Sequence, residues 1–253
     1  MINLNKNHSI NTLQEIVRKN MNQRLDYMPD SFNKEQQYAL ELFQKRLYLE
    51  EIIEETISFN RNLSWDDINK SLKLTISAEE LIKVFELRSD VYTEIGYQNE
   101  FPDVIEGLNF DIFDKSAGIV YYQNNKVVTG SCRLIFDSKN KLPSEDKYSF
   151  NNLRDEYGIL GEISRNAVRN NTKKGLGLEF KYLMAGMYNV FINNNIDLTL
   201  SVMKKEHYKL FSKFGGNDVV DELCDYGELK QTSLIISWDP SKVSNFFKKV
   251  FLK

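Results

Sequence analysis

From Leu72 onward the sequence keeps switching between two periods, and that alternation limits the chain to a sheet flanked by helices. Leu72–Ile76, Ala117–Gln123, Lys126–Phe136, Gly161–Val168, Asp197–Met203 and Glu228–Trp238 carry strand patterns. Between them lie runs of helical spacing. Ser77-Ala78-Glu79-Glu80 has a capping-box spacing and opens a helix carrying Leu81, Val84, Phe85, Arg88 and Tyr92. Further helices are expected over Gly177–Asn193 and His207–Phe214, the second stopped by Gly215-Gly216. Asp239-Pro240 is expected to open a last helix with Val243, Phe246, Phe247, Val250 and Phe251 on one face. Asn124-Asn125 reads as a hairpin turn between the second and third strands.

Residues 1–71 follow a different rule and form a helical N-terminal extension to an α/β domain over 72–253. Ile10, Leu13, Ile16, Val17, Met21 and Leu25 share one helical face. After a break at Met28-Pro29-Asp30, Ser31 is expected to cap a longer helix carrying Tyr38, Leu42, Leu49, Ile53 and Ile57. Ser64-Trp65-Asp66-Asp67 suggests the start of a short third helix. The extension carries no catalytic constellation; a lid, a dimerisation arm and simple packing are all open readings.

Composition narrows the function. With a net charge of −3, nothing in the charge balance asks for nucleic acid. No apolar run reaches the roughly 18 residues of a membrane span, and the start lacks the apolar centre of a secretion signal. A cytoplasmic protein is expected. Cys132 and Cys224 match no metal or redox spacing and read as small apolar residues in a reducing compartment. Two histidines, His8 and His207, speak against a Ser-His-Asp triad or a His-rich metal site. The terminal Phe246-Phe247-Lys248-Lys249-Val250-Phe251 could touch a membrane surface, although packing of its Phe face on the sheet is the expectation.

The chemistry is concentrated in charged residues set among apolar strand patterns. Arg88 ends a helical run. Asp111 and Asp114 stand three apart beside Phe110 and Phe113, in an expected loop. Arg133 lies inside a strand, and Glu162 and Arg165 share another. Six such groups are costly to bury separately and much less so when mutually paired. They are therefore expected to converge on one cleft beside the split between the Gly161–Val168 and Asp197–Met203 strands. The acidic pair could hold a substrate ammonium or pair with Arg88 and Arg133. Glu162 is either a catalytic base or a strand-edge partner of Arg165.

This order of motifs resembles the N-acyl amino acid synthases and the acyl-homoserine-lactone synthases, within the GNAT acyltransferase superfamily, over about residues 76–222. The resemblance implies a mixed, mostly antiparallel sheet with a bulged strand, and an enzyme that moves a fatty acyl group to an amine. It implies Glu162 and Arg165 as catalytic residues, with Arg88, Asp111, Asp114 and Arg133 binding substrate. It also implies an acyl-phosphopantetheine donor, on acyl carrier protein or CoA, with no tightly bound cofactor. Ordinary GNAT enzymes hold CoA pyrophosphate with Gln/Arg-x-x-Gly-x-Gly/Ala. Here Lys173, Lys174, Gly175 and Gly177 occupy that string, but Thr172 replaces the Gln or Arg. That departure favours acyl carrier protein, an acidic partner for Lys173, Lys174 and Arg169. The lactone synthases place a Trp after the first Arg and begin near it; this chain has Ile95-Gly96-Tyr97-Gln98 there, and 87 residues precede Arg88. Both points favour an amino acid or similar small amine as acceptor. A lactone synthase using S-adenosylmethionine, and a non-catalytic module binding a carrier or lipid, are the alternatives.

Overall fold

The computed structural model describes residues 30–138, 141–169, 177–227 and 231–253. The chain divides into two units between Ile53 and Glu54. In the first, described from residue 30, the long helix α1 (Asp30–Arg61) begins one residue before the expected cap Ser31, and its last two turns run into the second. The helix expected over residues 10–25 lies outside the described residues.

The second unit holds a seven-stranded sheet: β1 (Leu72–Leu74), β2 (Ala117–Asn124), β3 (Val127–Phe136), β4 (Leu160–Val168), β5 (Leu198–Lys204), β6 (Asn217–Tyr226) and β7 (Gln231–Trp238). Its spatial order is β1-β2-β3-β4-β5-β7-β6. All neighbours are antiparallel except β4 and β5. The helices are α2 (Ala78–Glu94), α3 (Asn151–Tyr157), α4 (Leu178–Asn193), α5 (Lys205–Phe211) and α6 (Asn245–Phe251).

Local chemistry sets the boundaries. Ser77 and Glu80 close the expected capping box on α2. The hairpin turn falls one residue later than the expected Asn124-Asn125: Asn125 and Lys126 both take positive φ, 49° and 67°, and Asn124 pairs with Val127. A short 3-10 turn, Ser212–Phe214, extends α5 before Gly215 and Gly216 at φ 79° and 72°. A side chain on either glycine would strike the backbone near Ser244 or Asp239, so glycine is required there.

The two faces of the sheet differ. One packs Val120, Cys132 and Leu134 against Leu183, Met187 and Phe191 of α4, with Trp238 and with Phe247 and Phe251 of α6. Val243, Phe247 and Phe251 of the expected face are thus in the core, whereas Phe246 and Val250 are exposed. On the other face, residues of α2 meet the charged positions described below. At the edge, Asn60 acts as a peptide surrogate for β2: Nδ2 donates to Ala117 O at 2.8 Å, and Oδ1 accepts from Ile119 N at 3.0 Å.

Three further sequence expectations are corrected, and two elements are new. Ser64–Asp67 does not start a helix; its backbone is held by the side chains of Asn189 and Asn194 at the end of α4. The last helix is capped by Ser244, because Asp239-Pro240 opens only a 3-10 turn, Pro240–Lys242. α3 and β6 were not expected. α3 buries no residue, and β6 interrupts its alternation with acidic residues. Both cysteines are free, but Cys224 is exposed rather than a core residue. Among the described residues, no helix is long and apolar enough to cross a membrane.

Candidate active site

β4 and β5 pair only over Leu160–Glu162 and Leu198–Leu200 and then separate. The parting opens a cleft of about 810 Å³. Just past the last paired residues, β4 bulges. Arg133 of β3 faces Ser164 and Ser131 faces Ala167, so two steps on β3 span three on β4. Arg165 absorbs the extra residue at φ 53°, in the left-handed region. The bulge brings Glu162 and Arg165 onto one cleft wall with Asp111 and Arg133.

Five of the six expected charges form one connected network. Asp111 and Asp114 are the N-cap and third residue of a 3-10 turn, Ile112–Ser116, whose capping box the two carboxylates build. This replaces the expected plain loop and fixes both side chains. Arg133 grips Asp111 with two parallel hydrogen bonds, Nη1 to Oδ1 at 2.6 Å and Nη2 to Oδ2 at 2.9 Å. The same Nη1 donates to Asp114 Oδ1 at 2.9 Å, and Nε donates to Ser164 Oγ at 2.9 Å. Arg88 donates to both oxygens of Asp114, at 2.9 and 3.2 Å. Arg165 Nη2 donates to Asp111 Oδ2 at 2.8 Å, while its guanidinium lies 4.0 Å from the centre of the Phe101 ring. Phe101 is held by its loop: Asn109 Nδ2 donates to its carbonyl, and Ser89 Oγ donates to Asp103.

Arg88 and Asp114 are wholly buried behind the cleft wall, so the convergence is in two layers rather than one. Burial alone would raise the Asp111 carboxyl, but the guanidiniums of Arg133 and Arg165 outweigh it and hold the group well below the usual carboxylate range.

Glu162 stands apart. It accepts from Ser144, not from Arg165: Oε2 takes the Ser144 amide at 3.0 Å and the Ser144 hydroxyl at 2.7 Å. Among the described residues Oε1 accepts no hydrogen bond. The residue is 3% exposed, and burial pushes its carboxyl above the ordinary Glu value despite the Ser144 bonds and the charge of Arg133. Ser144 had no signature in the sequence beyond a Pro-Ser-Glu turn.

Of the expected phosphate loop, Lys173, Lys174 and Gly175 lie outside the described residues; Gly177 is the N-cap of α4 and lines the cleft. His207 is exposed on α5 at the cleft mouth. Tyr97 lines the cleft with Lys204 Nζ 5.2 Å from its ring centre. Apolar side chains, among them Phe113, Phe180, Met184, Val202, Phe211 and Ile236, cover much of the remaining wall.

The family model of FeeM, an N-acyl amino acid synthase, matches residues 83–239. No curated protein matches the sequence. Among solved structures, FeeM from uncultured soil microbes is 17% identical, with 72% of this chain and 93% of that chain covered and a TM-score of 0.56. The acyl-homoserine-lactone synthase LasI is 14% identical over 71% of this chain and 93% of its own, with a TM-score of 0.53. BjaI, a CoA-dependent acyl-homoserine-lactone synthase determined with SAM and isopentyl-CoA, is 16% identical over 69% and 81%, with a TM-score of 0.52. The likeness is one of fold, and the fold is the GNAT type that the motif order implied.

Proposed function

The chain belongs to the FeeM family of N-acyl amino acid synthases and is an acyltransferase; on that footing we propose that it moves a fatty acyl group from an acyl carrier protein thioester to the amine of an amino acid or a similar small molecule. One observation carries the mechanism. Glu162 lines the cleft at the strand split with one oxygen anchored by Ser144 and the other unengaged among the described residues.

An ammonium has no lone pair, so the acceptor must first lose a proton. Glu162 takes it, directly or through water, and a carboxyl raised by burial is better matched to that task than an ordinary one. The amine nitrogen then attacks the thioester carbonyl. A carbon–nitrogen bond forms, the carbon–sulfur bond breaks, and the sulfur leaves as thiolate, which takes the second proton that the nitrogen sheds on becoming an amide and departs as thiol. The bulge leaves Arg165 and Asn166 outside residue-for-residue pairing with β3, which frees backbone N–H groups for the developing oxyanion. Arg88, Asp114 and Arg133 hold Asp111 and Arg165 on the wall where the acceptor binds. The apolar wall suits an acyl chain.

Thr172 in place of the Gln or Arg of CoA-dependent loops favours acyl carrier protein as donor, with Lys173 and Lys174 meeting its acidic surface. Purified protein is to be incubated with acyl carrier protein thioesters, matching acyl-CoA thioesters and a pool of amino acids. Thiol release and N-acyl products by mass spectrometry are the expected result, with carrier protein the better donor. Efficient use of acetyl-CoA with no turnover of long acyl thioesters contradicts the proposal.

A further inference from the structure

We infer that Ser144 is the positioning residue of the Glu162 base, fixing which carboxylate oxygen is withheld from the acceptor and which is presented to it. The inference rests on the proposed role of Glu162 and adds a residue that lies outside all the charged motifs.

Ser144 is 1% exposed and sits in a 3-10 turn, Pro143–Asp146. Its amide and hydroxyl converge on one atom, Glu162 Oε2. Two donors on a single oxygen hold Oε2 in place and leave Oε1 on the cleft side without a protein donor among the described residues. The turn is itself tied down from outside the cleft. Glu145 Oε2 accepts from Leu142 N at 2.8 Å, Arg154 Nη1 donates to Glu145 Oε1 at 2.8 Å, and Arg154 Nη2 donates to Asp137 Oδ1 at 2.9 Å. Asp137 directly follows β3, so this ion-pair group links the turn to the sheet that carries Glu162. Preorganising a base through a held partner is what proton transfer requires.

The other groups acting on Glu162 are constant when Ser144 changes. Arg133 on β3 lowers its carboxyl and Glu145 beside Ser144 raises it. Asp111 and Arg165 share the cleft wall, and the paired residue on β5 is the uncharged Leu200. Both Ser144 bonds favour the ionised form. Removing the hydroxyl therefore raises the carboxyl further, and the acidic limb of a rate profile that needs ionised Glu162 moves to higher pH.

The test compares Ser144→Ala and Ser144→Thr with the native protein in two measurements. One is the titration of the Glu162 carboxyl carbon by NMR, its resonance identified with Glu162→Gln. The other is kcat against pH with the acyl donor held saturating. For Ser144→Ala the midpoint and the acidic limb should rise together, plateau kcat should fall roughly tenfold, and donor KM should stay within about twofold. Ser144→Thr should restore native behaviour. Should alanine loosen the turn, Ser144→Val against Ser144→Thr makes the same comparison, since they differ by methyl for hydroxyl. An unmoved midpoint and limb overturn the inference, even with a lower melting temperature. Failure of the underlying reading shows separately, as turnover that survives Glu162→Gln.

Discussion

Arg133 and Asp111 meet through a two-point pair, 2.6 and 2.9 Å, in which a strand arginine that is 2% exposed closes on an aspartate at the rim of the cleft. The same guanidinium reaches back to Asp114, so it joins the wholly buried Arg88–Asp114 pair to the cleft wall. Paired charges of this kind are weak evidence for stability but costly to break.

Breaking them gives the first prediction. Asp114→Ala strands Arg88, whose Nε and Nη2 already lack partners among the described residues. A loss of about 3–5 kcal/mol is expected for Asp114→Ala and for Arg133→Ala, a drop in melting temperature of roughly 10 °C for a chain of this size. Calorimetry or circular dichroism checks it. A change of about 1 °C would mean that the network is not buried as described.

Asp111 predicts a pH dependence. Its folded carboxyl is held below its unfolded value of about 3.9. The stability it contributes is therefore fully present above that unfolded value and is lost as pH falls through the folded value. The Asp111 share of stability, read as the melting difference between the native protein and Asp111→Asn, should hold between pH 7 and 5 and shrink steeply below pH 4. Asp111→Asn should start lower at neutral pH and show a shallower acid decline, measured by thermal melts across that range.

Asn60 separates structure from chemistry. Asn60→Ala leaves Ile119 N and Ala117 O without their side-chain partner in a buried place. About 2–4 kcal/mol should be lost, read from the urea midpoint, with turnover per folded molecule unchanged. Loss of turnover at full folding would give this contact a role in the site.

Much of this arrangement was legible in the sequence because it rests on local signals. The Ser77–Glu80 box, the Asn125 turn and the two-residue alternation of β2 to β5 each declare themselves within a few residues. The bulge, and Asp111 and Arg133 as partners, came from the motif order rather than from any local pattern. What was hidden depends on partners far along the chain. Ser144 is 18 residues from Glu162, and no spacing rule connects a serine in a turn to a strand carboxylate. Ser64–Asp67 resembles a helix start, but the amides of Asn189 and Asn194 offer its backbone a better set of bonds. β6 has an edge-strand composition, Asn-Asp-Val-Val-Asp-Glu-Leu-Cys-Asp-Tyr, with acidic residues where alternation would place apolar ones. Only its pairing with β7 reveals it.

The most direct test of the mechanism is Glu162→Gln, measured for turnover of an acyl thioester with an amine acceptor and for melting temperature. Because burial raises the folded Glu162 carboxyl, its ionisation costs stability once pH rises above the unfolded value of about 4.3. Glutamine has no such cost and can still accept from Ser144. The variant should therefore melt at or above the native temperature at neutral pH and lose that advantage in acid. Turnover should fall on the order of 100-fold or more, as expected for a lost general base. A variant that turns over at close to the native rate, whatever its melting temperature, would show that Glu162 is a structural carboxylate and that the acceptor loses its proton elsewhere.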